Sequence, residues 1–116
     1  MFEHPLEERA FQFAKRVRAF TRMIKRDVEN IEDIKQLVRA SGSVGANYIE
    51  ANESLGRADL RMRIKISRKE AKEAIYFLGL VQTFEVPELE NEREFLVDEA
   101  IQLKKIFSKM LNNLGE

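Results

Sequence analysis

Arg61, Lys65, Arg68 and Lys72 recur at spacings of four, three and four, the rhythm that lines side chains up along an α-helix, and Tyr76 extends the row. None of these four cations has an Asp or Glu three or four positions away, so intrahelical neutralisation is missing. Like charges one turn apart repel by about 0.2–0.5 kcal/mol per pair. A polyanion offsets that cost, and the phosphates of RNA or DNA suit such a row. A second row, Lys15, Arg18, Arg22 and Lys25, falls opposite an apolar stripe, with Phe11 one turn ahead of Lys15. Phe11 and Tyr76 offer rings on which unpaired bases stack, although packing at the edge of a core explains them equally well. Both rows also fit a bland account as solvated faces or as partners of acids on other helices or subunits.

Other chemistries find little support. The single histidine, His4, adjoins Pro5 near the start of the chain, and there is no cysteine. A thiolate zinc site, a disulfide scaffold and a histidine-based triad are therefore excluded, and a reducing compartment fits. Ser41 and Ser43 have no histidine to activate them, and no glycine-rich phosphate loop follows a strand. Asn47, Glu50 and Glu53 fall within two helical turns and read best as a buried or interfacial hydrogen-bond cluster. The expectation is a non-enzymatic protein with no metal, no cofactor and no small-molecule substrate.

The elements that carry these rows are helical. Gly and Pro are scarce, with five and two among 116 residues, and good helix formers dominate. Leu6, Ala10, Phe13, Val17, Phe20, Ile24 and Val28 make one stripe, predicting a first helix over 6–27. Asn30, with Asp33 three residues on, suits the N-cap of a second helix over 31–54. Its middle, ASGSVGA at 40–46, is built of small residues, which fits a close helix contact; a loop at Gly42 is the alternative. A third helix is predicted over 58–84, ended by Pro87, and a fourth over 88–113 behind an acidic start. Short connections make them antiparallel neighbours, so the expected fold is an all-α, up-down four-helix bundle forming one domain over 1–116.

Helix 3 has a second apolar face, Met62, Ile66, Phe77, Leu80 and Phe84, beyond what one bundle core needs. It is the expected interface of a homo-oligomer. The charges, 20 basic against 20 acidic, cancel in sum but not in place. Seven bases and no acid occupy 9–26, while seven acids face one base over 85–99. No signal peptide and no membrane-length apolar run is visible, which points to a cytoplasmic protein without membrane contact.

Further resemblance lies in QLVRASGSVGANYIEANESLGRADL at 36–60, KISRKEAKEAIYFLGLV at 65–81 and DEAIQLKKIFSKML at 98–111. Gln36, Leu37, Arg39, Ser43, Asn47, Glu50, Lys69, Glu70, Glu73 and Tyr76 carry its most specific part. These segments resemble the ribosomal RNA intervening-sequence proteins, also called the S23 ribosomal protein family. Phe77 departs from the Trp that many relatives carry, and Gly79 is an unusual choice within a helix.

The resemblance implies a four-helix bundle assembling into a ring, typically a homopentamer, with no catalytic residues to carry over. It also implies kinship to a retroelement accessory protein that binds nucleic acid through basic surfaces. Two functions are thus expected to compete: an RNA- or DNA-binding oligomer, and a structural adaptor with protein contacts only.

Overall fold

The computed structural model describes residues 1–115, and among them there are four helices and no strand. They are α1 (Pro5–Arg22), α2 (Val28–Asn52), α3 (Arg57–Leu80) and α4 (Pro87–Asn113). Each packs on its two neighbours in the cycle α1–α2–α3–α4, leaving α1 and α3 diagonal to one another. The core runs down the axis through Phe13, Val17 and Phe20 of α1, Leu37 and Val44 of α2, Ile64 and Leu78 of α3, and Leu96, Leu103 and Phe107 of α4. Tyr48 closes it with a tilted ring contact on Phe107 at 5.8 Å.

The helix limits differ from expectation where side chains, not Gly or Pro, end a helix. The first helix stops at Arg22, short of 27, because Arg26 turns back and donates to the carbonyls of Thr21 (2.6 Å) and Ile24 (2.8 Å). Val28, expected on its apolar stripe, is exposed at the start of α2 instead. Asp27, and not Asn30, is the N-cap of α2: its Oδ1 accepts from the Asn30 backbone N–H at 2.8 Å. Asn30 is buried and links the two loops at that end. Its Nδ2 donates to the carbonyls of Lys25 and Gln82 (both 2.9 Å), and its Oδ1 accepts from the Gln82 N–H at 2.8 Å.

The second helix ends at Asn52 rather than 54 and is unbroken through Gly42. Gly45 explains the small-residue segment, since a Cβ there would lie 3.2 Å from Cβ of Ala10, where α1 crosses α2. The third helix begins at Arg57 and ends at Leu80, four residues before Phe84. Phe84 and Glu85 adopt left-handed backbone angles, φ 57° and 61°, in the turn leading to Pro87 and the start of α4. Arg93 of α4 holds that turn by donating to the carbonyls of Leu78 and Val81, beside a hydrogen bond from Thr83 to Glu90.

Gly79 is helical with nothing within 4 Å of a Cβ placed on it. Gly79→Ala is therefore expected to raise stability by about 0.5–1 kcal/mol through lower unfolded-chain entropy. Thermal unfolding followed by circular dichroism checks this, and an unchanged or lower midpoint contradicts it.

Candidate nucleic-acid interface

Among the described residues, nine arginines make hydrogen bonds within the bundle. Arg9 of α1 grips Glu99 of α4 with two hydrogen bonds of 2.8 Å, and Arg16 grips Glu92 with two of 2.6 and 2.9 Å. These bidentate pairs stitch α1 to α4, and Arg16 also lies over the Phe95 ring at 3.6 Å. The acidic residues of helix 4 thus neutralise part of the basic first helix, through Arg9 and Arg16. Arg57 and Arg61 of α3 donate to the Leu114 carbonyl at the end of α4, at 2.8 and 3.4 Å. Arg26 and Arg93 serve the ends of α1 and α3 in the same way. Carbonyl-capping by cations suits the negative end of each helix dipole.

Along the α2–α3 seam, Arg39 donates to Glu70 at 3.2 Å and to Glu73 at 2.5 Å. Its Nε reaches Gln36 at 3.4 Å, so four residues of the resemblance form one cluster. Glu70 is buried, and its Oε1 has no hydrogen-bond partner. Desolvation pushes the Glu73 carboxyl upward, but the hydrogen bond and charge of Arg39 act against it, and the pKa lies below the ordinary value. Asn47 accepts from Arg63 at 3.1 Å on the same seam, and Ser67 donates to the Val44 carbonyl at 2.9 Å. Among the described residues, no group of three or more His, Cys, Asp or Glu is placed to hold a metal ion.

The predicted site residues separate onto two faces. Lys65, Arg68 and Lys72 of α3 line a groove of about 450 Å³ whose other wall is α4. Two cations that the spacing argument passed over join them: Lys69 of α3, and Lys104, which projects from α4 beside Ser108. Among the described residues, five cationic side chains and no carboxylate line this groove. Lys69 was legible in principle, since it shares a helical face with Lys65 and Lys72. Lys104 needed the pairing of α3 with α4. Arg61, one turn before Lys65, is drawn toward the Leu114 carbonyl.

The α1 row does not form a comparable surface. Lys15 and Arg18 edge an apolar groove of about 500 Å³ between α1 and α2, with Phe2, Phe11, Gly42, Gly45 and Ile49. Phe11 packs on Phe2 at 4.9 Å under the Lys15 ammonium. Arg18 donates to the Ala14 carbonyl at 3.1 Å. Arg22 is exposed at the end of α1, and Lys25 lies in the following loop, 5.3 Å above the Phe84 ring. Since α1 and α3 are diagonal, the two predicted rows do not share one surface.

The expected oligomer interface is likewise divided. Met62 is 48% and Leu80 40% exposed, while Ile66 and Phe77 are half-buried, Phe77 against the core. Lys69 and Glu73 interrupt the line between its two ends, and Phe84, 46% exposed, stands off the helix in the turn.

Comparison with known proteins gives these features a family. Residues 5–112, nearly the whole chain, match the 23S rRNA-intervening sequence proteins. The chain belongs to that family. Among solved structures, this intervening-sequence protein is similar to a protein of unknown function from the S23 ribosomal protein family of Bacteroides thetaiotaomicron. The two share 26% identity over 90% of this chain and 96% of the other, with a TM-score of 0.76. No curated protein matches it. The helical bundle read from the sequence therefore agrees with the fold of a family member, and none of the described helices is long and apolar enough to cross a membrane.

Proposed function

We propose that this intervening-sequence protein is a non-enzymatic, cytoplasmic binder of RNA or DNA that acts through phosphate contacts in the α3–α4 groove. One observation supports the reading: Lys65, Arg68, Lys69, Lys72 and Lys104 line a single concavity, with no carboxylate among the described residues of its walls. Arg9, Arg16 and Arg39 pair with carboxylates of other helices, so a chain of balanced charge still has a locally cationic surface at this groove. No element here is shaped to read base edges in a groove, so charge and shape govern recognition.

Five phosphate contacts to a single strand give a slope of about −3.5 in log K against log salt. Fluorescence anisotropy at several salt concentrations measures it, with Lys65→Ala/Arg68→Ala/Lys69→Ala/Lys72→Ala as the comparison. Loss of four contacts is expected to flatten the slope to about −0.7. An unchanged affinity and slope in that variant overturns the groove as the site.

We further propose that the protein works as a homo-oligomer, the ring that its family resemblance implies. Exposed Met62, Leu80 and Phe84 support this over a monomer. Light scattering at micromolar concentration tests it, and a monomer there contradicts it. An oligomer that binds no nucleic acid even at low salt would instead favour the adaptor function.

A further inference from the structure

Tyr76 stands on the same line of α3 as the groove's lysines, with Lys65, Lys69 and Lys72 preceding it at spacings that return to one helical face. The run from Lys65 to Tyr76 is about 16 Å long at 1.5 Å per residue. Tyr76 is 63% exposed, an unusual place for so large an aromatic side chain. The ring lies edge-to-face with Phe77 at 5.2 Å, a contact that occupies at most one of its two faces.

A row of lysines alone accepts any polyanion. An exposed aromatic ring in register with that row adds a demand that only some polyanions meet. In a duplex the base faces are hidden by stacking, and only the sugar–phosphate edge is offered to a furrow between two helices. In a single strand each base has a free π-face, and base–aromatic stacking is sequence-tolerant. We infer that the α3–α4 groove takes single-stranded nucleic acid, with phosphates on Lys65, Lys69 and Lys72 and one unpaired base on Tyr76. This inference rests on the phosphate-binding reading above and narrows it.

The test uses the full chain and fluorescence anisotropy with three probes. They are a 12-nucleotide strand without self-complementarity (as RNA and as DNA), the same sequence as a duplex, and inorganic polyphosphate. The strand is expected to bind more tightly than the duplex. Tyr76→Ala should weaken strand binding about tenfold while leaving polyphosphate binding unchanged, and Tyr76→Phe should keep the wild-type affinity. Lys65→Ala/Lys69→Ala/Lys72→Ala should weaken all three probes. A duplex that binds as tightly as the strand, or a Tyr76→Ala variant that binds the strand normally, overturns the inference but leaves the phosphate site standing. Wild-type binding by the triple-lysine variant, or no binding of any probe by the wild type, overturns both. Unchanged helical circular dichroism shows that each variant is folded.

Discussion

Asn30→Ala is expected to destabilise the protein by about 3 kcal/mol, from about 1 kcal/mol for each of three hydrogen bonds lost. The asparagine is wholly buried, yet it belongs to no catalytic or ligand constellation. Its amide nitrogen serves the carbonyls of Lys25 and Gln82, and its oxygen serves the Gln82 N–H. Alanine keeps the helix but leaves all three backbone groups without a partner. At about 4–8 °C per kcal/mol, the unfolding midpoint should drop by roughly 12–24 °C. Asn30→Asp restores the acceptor while turning a carboxylate toward two carbonyls, so it should fare no better. Asn91→Ala, at an exposed position, is the control. A fall of under about 1 kcal/mol in the Asn30→Ala variant would show that the two loops hold together without this side chain.

Arg39→Ala should cost about 2–4 kcal/mol near neutral pH, because it leaves Glu70 buried with neither oxygen paired to a cation. Arg39 itself is 48% exposed, so water entering the seam keeps the loss below that for a fully enclosed pair. Arg39→Met combined with Glu70→Leu removes both charges and should recover most of the stability. The pH dependence follows from Glu73, whose pKa is lowered in the folded state. A lowered carboxylate pKa stabilises the fold above the unfolded value, about 4.3, and that stability is lost as pH falls through the folded value. The gap between wild type and Arg39→Ala is thus widest above pH about 5 and closes on acidification. Denaturant unfolding at several pH values measures it; a gap that stays constant down to pH 3 contradicts the assignment.

Helix number, order and facing were legible because apolar residues recur along nearly every turn of the chain. Phe13, Val17 and Phe20 point inward as their spacing says, and Gly45 meets Ala10 where the small residues asked for a close approach. Helix ends were less legible. Nothing between Arg22 and Val28 breaks a helix by propensity; Arg26 and Asp27 break it by offering hydrogen bonds to backbone groups. Leu80 ends α3 for a similar reason, with Arg93 reaching from a helix distant in sequence.

The site was half legible by the same logic. One-dimensional spacing finds cations that share a helix face, as with Lys65, Arg68 and Lys72, but it cannot assign each to a neighbour. Arg61 is drawn to a carbonyl at the far end of α4, and Lys104 completes the groove from the facing helix. Both facts depend on which helix lies beside α3.

The arginines that close α3 and α4 come from each other: Arg93 reaches the end of α3, and Arg57 and Arg61 reach the end of α4. The two walls of the lysine groove are therefore pinned at both ends. Backbone ordering, often a large entropic cost of association, is complete in the free protein. Only long lysine side chains have to be immobilised, at about 0.5–1.5 kcal/mol each. If the groove takes a strand as proposed, a preset channel of this kind would do so without refolding around it, and encounter rate, set by the local field and by salt, should govern how fast it fills.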